Sequence, residues 1–202
     1  MSSSIIRLSR LATPALSTDM PLSVPRRLVP LISECNGFYA FESALHVFRW
    51  GGGDMSAEWW NSPSLWRGSY GDSFDELTFF AEDAFGFQFA VSDVGFHSFN
   101  PETGEVESMG RTSEEWARQI IDDFEVLTGH PVIREWQQSN GALRPGFRLS
   151  PRTPFVLGGQ FSVKTMRSVD SVDLMRFRAD LYRQLVSIPD GSQVAITMGD
   201  KE

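Results

Sequence analysis

The side chains that could do chemistry are few, and their spacing keeps them apart. Zinc sites draw His and Cys in pairs a helical turn or a short loop apart. His46, His97 and His130 have no such partner, and Cys35 is the single cysteine. Gly51-Gly52-Gly53 has the freedom of a phosphate loop, but no suitable strand precedes it and no Lys follows to hold a phosphate. No serine stands in a Gly-x-Ser-x-Gly elbow. Acids alternating within one loop, as calcium requires, do not occur. Cys35 falls on the apolar stripe of a short predicted helix, which reads as a core position rather than a nucleophile served by His46 or His97. The carboxylate pairs Glu82/Asp83, Glu114/Glu115 and Asp122/Asp123 are sequence neighbours. On a strand or a helix neighbours point apart, so spacing alone makes none of them an acid–base dyad. These residues assemble no catalytic set, no metal site and no cofactor site, and the chain reads as a non-enzyme.

Binding is the chemistry that remains. From Trp50 to Asp72 the chain holds three consecutive glycines and then Trp59, Trp60, Trp66 and Tyr70 among Asn, Ser and Pro. So long an irregular stretch is either functional or packed by its own aromatics. It could cap the core, contact a partner or stack a small ligand. For partner contact the candidates are Trp59 and Trp60 as anchors, with Asp54, Glu58, Asp72, Asp75, Glu82 and Asp83 supplying charge. The net charge is −8, which opposes nonspecific nucleic-acid binding. The charge is also segregated. Residues 72–125 carry fourteen acids and two bases, whereas residues 134–183 carry nine bases and four acids. The two halves could attract each other within the fold, or the acidic face could dock a basic partner. No apolar run reaches the ~20 residues that span a bilayer, and a lone cysteine fits a reducing compartment such as the cytoplasm.

The element that must position these residues is the stretch Leu77–Phe99. Leu77, Phe79 and Ala81, then Phe85, Phe87, Phe89 and Val91, alternate with smaller or polar residues. This is the period of strands with one apolar face. Glu82-Asp83-Ala84, Ser92-Asp93 and Asn100-Pro-Glu-Thr-Gly104 are turns, and Glu105–Met109 can form a fourth strand. An antiparallel meander follows. Thr112-Ser-Glu-Glu115 is a capping box, and Trp116, Ile120, Phe124 and Leu127 make the stripe of a helix to cover the meander, stopped by Gly129 and Pro131.

Elsewhere, residues 1–23 read as a disordered leader, with a targeting segment or an over-extended start as alternatives. Residues 24–202 read as one domain. Pro30–Asn36 suits a short helix ended by Gly37, and Phe41, Leu45 and Phe48 predict a second helix over 38–48. Residues 131–154 read as mostly connecting structure, with Trp136 anchoring a short helical turn that ends at Asn140-Gly141, and 154–163 as a hairpin across Gly158-Gly159. Asp170 caps a last helix with the stripe Leu174, Phe177, Leu181, Leu185 and Ile188, stopped at Pro189-Asp-Gly191. Gln193–Met198 reads as a terminal strand.

The order of these pieces, with Phe80-Ala-Glu-Asp-Ala-Phe-Gly-Phe-Gln-Phe89 at the centre, then Pro101-Glu-Thr-Gly-Glu-Val106 and Thr112-Ser-Glu-Glu-Trp116, resembles the SMI1/KNR4 family of the SUKH superfamily. The resemblance covers about Val24 to Leu127. The segments 136–159 and 189–191 are similar to a longer bacterial branch, which makes the chain from about 130 onward a C-terminal extension. The loop over 50–72 is longer than in the smallest members, and the leader is unmatched. The resemblance implies an α+β fold, with an antiparallel sheet packed by helices, and a binding role without shared catalytic residues. Bacterial members are similar to cytoplasmic immunity proteins of polymorphic toxin and toxin–antitoxin systems. Each blocks one toxin domain, often a nuclease or nucleotide-modifying enzyme. A scaffold or regulatory module without a toxin is the other role the resemblance implies.

Overall fold

Alternation along 77–99 becomes a sheet in the computed structural model, which describes residues 3–188. Six strands, β1 (Phe38–Ala40), β2 (Leu45–Val47), β3 (Thr78–Glu82), β4 (Gln88–Val91), β5 (Phe96–Phe99) and β6 (Val106–Ser108), pair antiparallel in sequence order. The protein is α+β, an antiparallel meander packed by helices.

The expectation of one apolar face is too simple, because every residue of β4 is buried. A bulge in β3 between Phe79 and Ala81 changes which face its side chains meet. The Phe80 ring packs at 5.0 Å from Trp116 of α4 (Ser113–Asp122), whereas Phe79 packs at 5.2 Å from Trp66 on the loop side. The Trp-rich stretch supplies the second cover through α3 (Ala57–Trp60) and a 3₁₀ turn over Arg67–Tyr70. Trp60, Trp66 and Tyr70 form a chain of ring contacts, 5.5 Å and then 5.9 Å apart. Of the roles left open for this loop, capping the core is the one these aromatics perform.

Other expectations are corrected as well. The leader is ordered: α1 (Ser4–Arg10) buries Ile5 and Leu8, a pair three residues apart on one helical face. Its Ser3 hydroxyl and Ser4 amide donate to Glu114 at the head of α4. The chain after it then runs along β1, with Ala12 opposite Ala40 and Ser17 opposite Asn36, and so covers an edge that would otherwise be open to pairing. Residues 38–48 form the hairpin β1–β2, not a helix. Phe41, Glu42 and Ser43 take positive φ of 53°, 55° and 72° in its turn, which no helix tolerates. The helix over 112–128 breaks at Asp123 (φ −136°, ψ 39°), leaving α5 (Phe124–Thr128) as a separate turn. Finally, residues 131–154 are not mainly connection. They hold α6 (His130–Asn140) and β7 (Phe147–Pro151).

The partner of β7 is β8 (Met166–Asp170), so the second hairpin spans 147–170 rather than Gly158-Gly159, and Phe155–Leu157 is a 3₁₀ turn. Asp170 caps α7 (Ser171–Leu185) by accepting from the Val172 and Asp173 amides. The expected stop at 189–191 and strand at 193–198 lie outside the described residues.

Because α1 and the strap after it contribute to the core, removing residues 1–12 is expected to lower Tm by about 5 °C. That shift matches ~2 kcal/mol of lost burial net of ordering cost in a chain of this size. Differential scanning calorimetry of the truncated chain checks it, and an unchanged Tm would return the leader to a passive role.

Candidate protein-binding groove

The sequence between β3 and β4 turns on Asp83. Its backbone amide donates to the Phe87 carbonyl at 2.9 Å, and its Oδ1 accepts from the Phe85 and Phe87 amides, both at 2.8 Å. Gly86 holds φ at +78°, and a Cβ there would approach Arg178 Nη1 to 3.2 Å and Leu174 to 3.3 Å. The alternation expected through Phe85 and Phe87 therefore stops short, and β4 starts only at Gln88. Both rings leave the sheet and meet the C-terminal extension, with Phe85 5.7 Å and Phe87 5.7 Å from Phe155. Phe161 stacks on Phe155 at 4.0 Å. The turn is pinned on two further sides, by the Ala84 amide to the Thr128 carbonyl at 3.1 Å and the Leu149 amide to the Ala84 carbonyl at 2.8 Å.

The ionisable side chains buried around this turn, among the described residues, are His46, Glu82, Asp83, Glu102, Arg148 and Arg178. Arg148 of β7 lies 2.9 Å from Glu82, and Arg178 of α7 lies 3.2 Å from Glu102. Both pairs tie the extension to the sheet. Burial alone would raise Glu82, but Arg148 and the His46 hydrogen bond outweigh it and hold the carboxyl below its ordinary range. Burial pushes the His46 imidazole down despite its 3.2 Å contact with Glu82, so it stays neutral at pH 7. Asp83 is the odd carboxyl. Burial pushes it up to about 7, against the pull of the two amides and of Arg178 and Arg148.

That shift has a consequence for stability. A carboxyl with a folded-state pKa above its ordinary value of about 3.9 binds its proton more tightly in the folded state, so stability is lost as pH rises from about 4 through 7. Asp83→Asn is therefore expected to raise Tm at pH 8 and to leave it nearly unchanged at pH 4. Thermal melts of both proteins across this range check it, and equal curves would show that Asp83 carries no buried charge.

Beside Asp83 a groove of about 450 Å³ opens between the ends of β4–β6 and the α5–α6 turn. Phe85, Phe87 and Phe161 wall it with Val126, and Phe161 and Val126 are 57% and 74% exposed. Among the described residues four carboxylates line it, Asp83 inside and Glu105, Glu107 and Glu125 exposed, and no Lys or Arg does. Gly129 makes the turn possible at φ +69°, and a Cβ there would stand 2.2 Å from Phe85.

The residues singled out from sequence do not gather in one place. Asp54, Asp72 and Asp75 are exposed. Asp75 lies 3.9 Å from Arg67, whose guanidinium also donates to the carbonyls of Phe74 and Asp75. Glu58 accepts from the Gly51 and Gly52 amides and from Ser23, which hold it below its usual range although burial opposes them. It serves to fold its own loop. Trp59 is half-buried. Trp60 is buried and donates to Gln88 at 2.8 Å, so it anchors the core and not a partner. Glu82 is buried in an ion pair, and Asp83 is 6% exposed; neither is a surface charge of the kind expected. Sequence reasoning missed Glu105, Glu107, Glu125 and Phe161 as a set. Only the local excess of acids pointed toward them, since the groove forms when the extension folds back.

The remaining reactive side chains have local roles. Cys35 is buried, and burial pushes its thiol up. His130 lies 3.2 Å from Glu42. His97 Nε2 lies 2.8 Å from Ser92 Oγ, which also accepts from the Val94 amide at 3.3 Å and so closes the β4–β5 turn. A serine nucleophile needs a third group to orient its histidine, and no such hydrogen bond to the other ring nitrogen of His97 occurs among the described residues. Nor is any described helix long and apolar enough to cross a membrane.

The fold and groove place the chain among α+β proteins with an antiparallel meander. It is similar to the crystal structure of Atu4351 from Agrobacterium tumefaciens, with a TM-score of 0.55 and 16% identity over 86% of this chain and 87% of that one. At that identity the likeness concerns the fold alone. No family model matches the chain, and no curated protein matches it.

Proposed function

We propose that this chain is a non-catalytic protein-binding domain of the SMI1/KNR4 kind, a cytoplasmic immunity protein that blocks the basic cleft of a bacterial toxin domain. The observation that supports this reading is the groove itself: exposed aromatic and aliphatic walls and, among the described residues, four carboxylates and no cation. Such a surface attracts a basic partner from a distance and holds it through a few apolar anchors. In this reading the interface lies at the foot of the sheet, and of the candidates chosen over residues 54–83 only Asp83 lines it.

The direct test is to express, with and without this chain, any basic protein encoded beside it in its own genome. Growth arrest by that protein alone, and rescue by this chain, is the expected result. A stable complex with a non-toxic host protein in place of rescue would favour the scaffold role. With the toxin in hand, Glu105→Gln/Glu107→Gln/Glu125→Gln is expected to slow association by about tenfold at low salt, and added salt to slow the wild type toward the same value. Stopped-flow association rates that ignore both changes would move the interface elsewhere.

A further inference from the structure

We propose that the groove is a socket for one cationic side chain, an Arg or Lys flanked by apolar residues of the partner, with Asp83 as its counter-ion. The proposal rests on the reading of the chain as a binding domain for a basic partner, and it names what that partner must present. Charge pairing beneath the turn carries it. Among the described residues three buried carboxylates, Glu82, Asp83 and Glu102, stand against two buried guanidiniums, Arg148 beside Glu82 and Arg178 beside Glu102, although Arg148 Nε and Nη2 and all three Arg178 nitrogens make no hydrogen bond there. Among the described residues Asp83 has no ion pair within 4.0 Å. Its Oδ1 is committed to the Phe85 and Phe87 amides, which fixes the carboxyl in orientation, and the residue lines the groove.

The groups that face Asp83 decide what can join it. From α7 and β7 come Arg178 and Arg148, which attract Asp83 but each lie closer than 4.0 Å to another carboxylate; from β3 comes Glu82, which lies against Arg148. Around the groove the turn before β6 gives Glu105, β6 gives Glu107 and α5 gives Glu125. An anionic ligand would meet all of these carboxylates, and a neutral apolar one would leave Asp83 dry and unpaired, at a cost. A cation with an apolar stem satisfies both features. The walls suit it as well, since aromatic faces attract guanidinium and ammonium groups. Phe87 already holds the Arg178 guanidinium 5.3 Å from its ring centre.

Asp83 also costs the free protein stability when it ionises, because burial raises it to about 7. A docked cation reverses that penalty, so binding and deprotonation of Asp83 are coupled. Below pH 7 the proton must first be removed, and affinity for a cation is expected to fall about tenfold between pH 8 and pH 6.

Benzamidine, an aromatic cation across this pH range, is the probe, with neutral benzamide as its control. Binding to the full chain is followed by NMR titration of the backbone amides. Benzamidine is expected to bind at pH 8, to shift the amides of Phe85 and Phe87, to bind at least tenfold more tightly than benzamide, and to weaken about tenfold by pH 6. Asp83→Asn keeps an acceptor for the two amides, and it is expected to lose at least tenfold in affinity and to lose the pH dependence. Should that variant fold poorly, Glu105→Gln/Glu107→Gln alters only exposed side chains and is expected to weaken benzamidine two- to threefold. Absence of benzamidine binding, equal binding of benzamide, or a wild-type affinity flat from pH 8 to pH 6 overturns the proposal. The toxin reading fails separately. Rescue of growth by both wild type and Asp83→Asn, with equal affinity for the toxin, would sink the socket and leave the immunity role standing. Benzamidine binding with the expected pH dependence, but no rescue, would do the reverse.

Discussion

Arg148→Met is expected to destabilise the protein by about 3–5 kcal/mol, since it leaves Glu82 buried without its cation. Glu82 and Arg148 are each 1% exposed, and their contact is 2.9 Å. The neutral His46 at 3.2 Å cannot replace a guanidinium. The further change Glu82→Gln removes the stranded charge while keeping an acceptor for His46. The double variant should therefore be more stable than Arg148→Met alone, with a coupling of about 2 kcal/mol in the cycle. Urea unfolding of the four proteins measures it. Additive costs would mean that the pair is not an interacting unit, and the attachment of the extension to β3 would then rest on apolar contacts alone. The same cycle reports on the groove, whose Asp83 follows Glu82 directly in sequence. The single variant should also raise the proton affinity of Asp83, because one of the two cations that pull it down is gone.

How much of this was legible in the sequence depends on the range of the interaction. The meander, the Thr112 cap and the Asp170 cap are local, and each was read from residues within a few positions of one another. Thr112 does accept from the Glu115 amide, and the β3–β5 pairing spans only short turns. What failed depended on distant contacts. Phe41, Leu45 and Phe48 have helical spacing, but β2 is held by β3, more than thirty residues on, and sheet pairing overrides a weak local preference. Ile5 and Leu8 looked too sparse for a core helix until α4 supplied a surface for them. Trp60 and Glu82 carried the marks of surface function, an indole and a carboxylate in an acidic stretch, but Gln88 and Arg148 meet them in the interior. The groove was illegible for the same reason. Asp83, Glu107, Glu125 and Phe161 come from four segments, and nothing in their spacing shows that they line one cleft.

Trp116→Ala is the other large effect, and it tests the opposite face of the sheet. The indole is wholly buried, with its centroid 5.0 Å from Phe80, 5.8 Å from Phe89 and 6.5 Å from Phe96. It thus spans β3, β4 and β5 at once, and it reaches Phe80 only because of the bulge in β3. Truncation removes the filler of that space from under a helix whose buried contacts are otherwise Ala117 and Ile120 with Ser113. The expected loss is about 3–5 kcal/mol. Trp116→Phe separates ring packing from hydrogen bonding. The indole Nε1 is buried with no hydrogen-bond partner among the described residues, so Phe gives up volume but also removes a donor that is costly to bury. That variant is expected to lose only about 1–2 kcal/mol. Equilibrium unfolding in urea ranks the two. If Trp116→Phe were as damaging as Trp116→Ala, the indole nitrogen would have to carry a bond that this packing does not give it. If Trp116→Ala lost less than about 1 kcal/mol, α4 would not be the cover of this face, and the register that puts Phe80, Phe89 and Phe96 on one side of the sheet would be wrong.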